Sequence, residues 1–141
     1  MPVRKADARW EGTLQEGKGT MRLAGGAYEG PYSFSSRFED GTGTNPEELI
    51  AAAHAGCFSM ALSGALGRNE FPPTSVQTSA GVHLTKTDAG FRIQRIDLVC
   101  EADVPGISDE KFQEIAAGAK ENCPVSVLLS TAEITLDAKL V

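Results

Sequence analysis

The stretch from Asn45 to Gly67 constrains the fold more than any other part of the chain. Asn45 can cap a helix, Pro46 suits its first turn, and Glu47 and Glu48 favour the positive end of the helix dipole. From there to Leu66 the residues are Ala, Ile, Leu, Met and Phe with few charges, and Gly67 provides a stop. A helix apolar almost all round is expected to be buried at the centre of a domain. His54, Ser59 and Ser63 interrupt the run, which on this reading falls short of a membrane span. One side is small, with Ala51, Ala52, Ala55, Gly56, Ser59 and Ser63, and permits another backbone to approach closely.

The segments around this helix read as strands. Ala8–Glu11 runs into Gly12, and Lys18–Leu23 ends at Gly25-Gly26. Tyr32 to Phe38 alternates at period two, which predicts a third strand carrying Arg37. Beyond the turn Phe71-Pro72-Pro73, residues 74–86 and 91–104 predict a hairpin joined through Asp88-Ala89-Gly90. Ser108 is placed to cap an amphipathic helix to about Glu121. Pro124 then breaks and restarts it through Leu129, and residues 132–140 alternate as a last strand. The expected class is α+β, with antiparallel strands packed on one very apolar helix.

At 141 residues, with 41% hydrophobic and 23% charged residues, the chain suits one globular domain, taken as residues 1–141. The net charge is −6 and the basic residues are scattered, so a nucleic-acid partner is not expected. Met1 to Asp7 carries no apolar signal-peptide core, and a cytoplasmic protein is the expectation. Neither a membrane nor a metal cofactor is called for.

The chemistry is sought in three widely spaced cysteines, Cys57, Cys100 and Cys123. Their odd number and spacing match neither a secreted disulfide framework nor a zinc pattern. Cys57 lies mid-helix, where a thiol is either a small core hydrophobe or a nucleophile that needs a separate cation. Arg37 and His54 are the candidates, although an isolated histidine on an apolar helix is commonly a core residue. Cys123 sits at the break before Pro124, where backbone N–H groups can stabilise a thiolate. Cys100 lies on an alternating strand with no adjacent cation and reads as packing. Residue types and spacing alone stop at a soluble α+β domain with two suspicious thiols.

Three segments carry a resemblance. They are Arg37-Phe38, the run Gly43-Thr44-Asn45-Pro46-Glu47-Glu48 through His54-Ala55-Gly56-Cys57-Phe58-Ser59-Met60-Ala61-Leu62, and Cys123-Pro124-Val125-Ser126. Together they resemble the OsmC/Ohr family of osmotically inducible and organic hydroperoxide resistance proteins, and the arginine before the helix is similar to the OsmC branch. The resemblance extends from Trp10-Glu11-Gly12 to the terminal strand. It implies an intertwined homodimer and a thiol peroxidase for organic hydroperoxides, with no cofactor. It further implies Cys57 as the peroxidatic cysteine, Cys123 as the resolving one, Arg37 as the cation beside the thiolate and Glu47 as the carboxylate orienting it. A dithiol, in this family a lipoylated protein, is the implied reductant. Apolar neighbours Phe58, Met60, Leu62 and Phe38 would then favour an alkyl or aryl peroxide.

Glu47 and Cys57 are ten residues apart on one helix, about 15 Å along its axis, so both cannot serve one site from the same straight helix. A second chain is expected to supply the glutamate. Two other readings stay open. One is a Cys57-His54 hydrolase, for which neither oxyanion hole nor orienting carboxylate is signalled. The other is a non-catalytic redox-sensing or small-ligand-binding dimer.

Overall fold

Gly19 is the pivot of the amino-terminal sheet. It faces Trp10 on one neighbouring strand and Tyr32 on the other, and a Cβ there would stand 2.6 Å from the indole and 2.5 Å from the phenol ring. Its absence lets the two rings meet at 5.3 Å between centroids, tilted by 56°. The computed structural model describes residues 1–141 and divides into two compact units, Met1–Leu49 and Ile50–Val141.

The first unit holds an antiparallel sheet in the order β1 (Ala6–Glu11), β2 (Lys18–Leu23), β3 (Glu29–Tyr32). Here the sequence expectation is corrected: after Tyr32 the chain turns into a short helix, α1 (Phe34–Phe38), and Arg37 stands in its last turn. Ser33 caps it, accepting from the Ser36 N–H at 3.1 Å, and the Ser36 hydroxyl accepts from the Ser33 N–H at 2.8 Å. Phe34 and Phe38 share a face in a strand and also in a helix, so their spacing does not separate the two. Their ring centroids are 4.9 Å apart. Gly43, at φ 109°, takes the left-handed turn that brings the Thr44 N–H to the Pro31 carbonyl.

The long helix α2 (Pro46–Arg68) starts as expected: the Asn45 side chain accepts from the Glu48 N–H at 2.8 Å and donates to the Ser36 carbonyl at 2.9 Å. In the second unit its residues His54, Phe58, Leu62 and Leu66, spaced by four, form one stripe with no solvent exposure. That stripe joins a core with Ile96, Leu98 and Cys100 of the sheet and Phe112 of a later helix. The expectation of an all-round buried helix is not met within one chain, because Ala52, Ala53 and Gly56 are exposed and Met60 is 79% exposed. By length and composition α2 does reach the measure of a membrane span, contrary to the sequence reading. Two polar groups in its middle, however, have protein partners: His54 Nε2 meets Ser126, and Ser59 donates to Thr78 at 2.7 Å.

Strands β4 (Ser75–Thr87) and β5 (Gly90–Asp103) form the predicted antiparallel hairpin. Helix α3 (Asp109–Asn122), capped by Ser108, and the short α4 (Pro124–Leu128) then lead to β6 (Glu133–Leu140). The order is β4-β5-β6, and β6 runs parallel to β5, whereas antiparallel pairing was expected. The helical segment between β5 and β6 is long enough to return the chain in the same direction. Gln113 and Lys120 of α3 donate to the Ala138 and Ile134 carbonyls of β6, fixing helix to strand.

Candidate active site

The second unit brings together two sulfurs that are 66 residues apart in sequence. The Sγ atoms of Cys57 and Cys123 are 2.9 Å from each other, with all three cysteines free. Cys57 projects half-buried from α2 beside the His54–Leu66 stripe, and Cys123 has no exposure.

Pro124 explains how Cys123 is presented. A residue before proline is disfavoured in the helical region, and Cys123 takes φ −55°, ψ 124°, which ends α3 and starts α4. Its carbonyl still accepts from Val127 and its N–H donates to Ala119, so the break is held on both sides.

The environments of the two thiols differ. Burial, reinforced by Cys123, pushes the Cys57 thiol above its ordinary value, against one backbone N–H from Val125. Burial also works to raise Cys123. There it is outweighed, chiefly by the Cys57 thiol 2.9 Å away, and Cys123 is held below the ordinary value. Within one chain the surroundings therefore disfavour charge on Cys57 more than on Cys123. No cation of the Ile50–Val141 unit offsets this at Cys57.

His54 does not reach Cys57; its Nε2 is 2.8 Å from the Ser126 hydroxyl and its Nδ1 has no partner. Burial lowers its pKa. Ser126, the buried partner of His54, stands in the Cys123-Pro124-Val125-Ser126 motif, and sequence reasoning gave it no role. Cys100 lies in the core on β5, where burial pushes its thiol up, in keeping with a packing role.

The first unit contains a separate pair. Arg37 Nη2 donates to Glu47 Oε1 at 2.8 Å, and its Nε lies 3.2 and 3.3 Å from the two carboxylate oxygens. Glu47 is 8% exposed, so the forked contact is a largely desolvated, charge-assisted one. Arg37 also forms one wall of a cavity of about 410 Å³ lined by Trp10, Leu14, Tyr32, Phe34 and Phe38. Of the apolar neighbours expected from sequence only Phe38 is there. Phe58 and Leu62 are core residues with no exposure, and Met60 points to solvent. No cluster of three or more His, Cys, Asp or Glu side chains is placed to hold a metal.

The family described as OsmC-like protein matches residues 39–139. Peroxiredoxin OsmC of Escherichia coli (strain K12) is 54% identical over 97% of this chain and 96% of that protein. The chain belongs to the OsmC family. The organic hydroperoxide resistance protein OhrB of Bacillus subtilis is 34% identical over 65% of this chain and 66% of its own length, so the OsmC branch is the nearer. The crystal structure of OhrB superposes with a TM-score of 0.71 at 25% identity, over 97% of this chain and 98% of the other. An OsmC-like protein from Mycoplasma pneumoniae has the same fold, with a TM-score of 0.76 at 16% identity over 99% and 98% of the two chains. The α+β, OsmC/Ohr-like architecture is thereby shown.

Proposed function

We propose that this chain is a thiol peroxidase that reduces organic hydroperoxides to alcohols through Cys57 and Cys123. The observation that carries the reading is the 2.9 Å approach of two free thiols from α2 and the α3–α4 break. The Cys57 thiolate attacks the peroxide O–O bond, the alcohol leaves, and a sulfenic acid remains on Cys57. Cys123 condenses with it to a disulfide, and an external dithiol, by family resemblance a lipoylated protein, returns both thiols. The relatives named peroxiredoxin and organic hydroperoxide resistance protein support the class of reaction.

Cys57 needs a cation to become a thiolate at neutral pH, and Arg37 is its proposed source. Paired with Glu47, Arg37 lies near the start of a helix whose tenth residue beyond Glu47 is Cys57, about 15 Å along the axis. We therefore assign the arginine and glutamate of each site to the second copy of a homodimer. The apolar faces of Ala52, Ala53, Gly56 and Met60 on α2 supply a surface for that copy. The cavity beside Arg37 suits an alkyl or aryl tail better than hydrogen peroxide. Three free thiols suit the reducing environment of the cytoplasm.

The test compares consumption of cumene hydroperoxide and hydrogen peroxide, with a dithiol reductant, by wild type, Cys57→Ser and Cys123→Ser. Preferred loss of the organic peroxide, abolished in Cys57→Ser and not sustained in Cys123→Ser, is the expected outcome. Equal behaviour of all three proteins would return Cys57 to a packing role.

A further inference from the structure

Asn45 is only half explained by its place before α2. As a cap, its Oδ1 accepts from the Glu48 N–H at 2.8 Å, a task that serine or aspartate performs equally well. The other half of the amide, Nδ2, donates to the Ser36 carbonyl of α1 at 2.9 Å. One partner is a donor and the other an acceptor, so the orientation of the amide is fixed. Aspartate has no N–H to give, and a serine hydroxyl ends one bond short, so the second contact selects asparagine. Ser36 adds a strap of its own: its hydroxyl donates at 2.7 Å to the carbonyl of Thr44, the residue before Asn45. Ser36 is 6% exposed and Thr44 3%, so the straps lie out of water, where each polar group needs its partner.

Arg37 follows Ser36 directly, and Glu47 stands two residues beyond Asn45. Helix α1 has only five residues, too few to hold a direction by its own hydrogen bonds. Its direction is therefore set by what ties it to the start of α2. The forked contact demands that direction, because Arg37 Nε and Nη2 must both meet one carboxylate. We propose that Asn45 and Ser36 are positioning residues that clasp α1 to the start of α2 and so hold Arg37 on Glu47, leaving Nη1 for the reacting thiol or peroxide. The proposal rests on the peroxidase reading above, in which Arg37 is the cation of the site, and adds the means by which that cation is aimed. A guanidinium already held in place need not reorganise when charge develops beside it, which is the condition for stabilising that charge well.

The experiment uses Asn45→Ser, which keeps the cap and removes the donor, with Ser36→Ala as an independent cut of the other strap. Two quantities are read on the reduced protein. The first is solvent exchange of the Arg37 Nε–H by NMR of isotope-labelled protein, its signal being one that the Arg37→Met, Glu47→Gln protein lacks. The second is the stopped-flow rate of Cys57 oxidation by cumene hydroperoxide. Each single variant should exchange that proton about ten-fold faster, the scale of one hydrogen bond, and oxidise Cys57 about three- to ten-fold more slowly. In the Arg37→Met, Glu47→Gln background neither change should slow oxidation further, because the group they aim is gone. Further slowing in that background is the mark of a merely structural role and overturns the proposal. Wild-type exchange in Asn45→Ser overturns it too, as does a wild-type rate of oxidation. Asn45→Ser alone decides if Ser36→Ala does not fold. Should wild type not consume the peroxide, the peroxidase reading fails. The clasp is then judged by exchange alone: a faster Arg37 Nε–H in Asn45→Ser supports it, and an unchanged one overturns it.

Discussion

The two sulfurs of the pair are pushed in opposite directions by their surroundings, and the difference bears on what each can do. Burial and Cys123 raise the Cys57 thiol, so one chain by itself keeps the proposed nucleophile protonated at neutral pH. Arg37 is proposed to reverse this, and the sign of its removal follows. A thiol with a raised pKa has little thiolate at pH 7 and gains about ten-fold for each unit of pH below that pKa. Arg37→Met, combined with Glu47→Gln so that no buried carboxylate is left unpaired, is expected to lose about 100-fold in Cys57 oxidation at pH 7. The loss should shrink steadily towards pH 9, whereas the wild-type profile stays flat. Stopped-flow oxidation by an organic hydroperoxide across that range is the measurement; parallel profiles for the two proteins would remove Arg37 from the role. Cys57, Cys123, Arg37 and Glu47 stand out in the sequence as motif positions of the family resemblance, and their roles remain as proposed above. The contact between the sulfurs was not legible there, because nothing local in the chain relates residues 66 apart. His54 was visible only as a choice between core residue and activator; its partner Ser126 lies 72 residues away.

At the scale of elements, the sequence was most readable where signals of different kinds coincide. The Asn45 cap, Pro46, the two glutamates and the apolar run all specify α2, and it forms as read. It was least readable where one signal serves two structures. Phe34 and Phe38 fit strand and helix alike, and the Ser33–Ser36 capping box decided for the helix. Alternation along β6 likewise shows which face is buried but not strand direction, and the direction comes from the crossover through α3 and α4. The break between those two helices makes a prediction of its own. Proline at 124 excludes Cys123 from the helical region, and Ala in its place removes the exclusion. Pro124→Ala is expected to let α3 run on into α4 and turn the Cys123 sulfur away from Cys57. Stability should fall by only about 0.4–1 kcal/mol, the usual effect of giving the unfolded chain back its freedom. Disulfide formation after a single oxidation should slow by about ten-fold, the scale of losing a hydrogen-bonded alignment. Urea denaturation and quenched thiol counts measure the two quantities, and a wild-type rate of disulfide formation would show that the break is not what orients the sulfur.

At the scale of the molecule, the strongest consequence concerns which chain completes which site. Arg37 and Glu47 bond to each other within the first unit, and Cys57 and Cys123 meet within the second. If each dimer site takes its ion pair from the opposite copy, complementation must follow. A Glu47→Ala chain keeps Cys57 intact, and a Cys57→Ser chain keeps Glu47 intact. Homodimers of either should be impaired, the first by losing the partner of Arg37 and the second by losing the nucleophile. In the heterodimer, purified through two different tags, one site combines the intact Cys57 of the first chain with the intact Glu47 of the second. The other site has neither. Peroxidase activity per dimer should therefore return to about half that of wild type, one working site in two. A glutamate acting within its own chain gives a different result, because the only chain with Cys57 would then lack Glu47. The heterodimer would in that case show half the activity of the Glu47→Ala homodimer. The two outcomes differ by the whole effect of Glu47, so the assay discriminates even if that effect is as small as ten-fold.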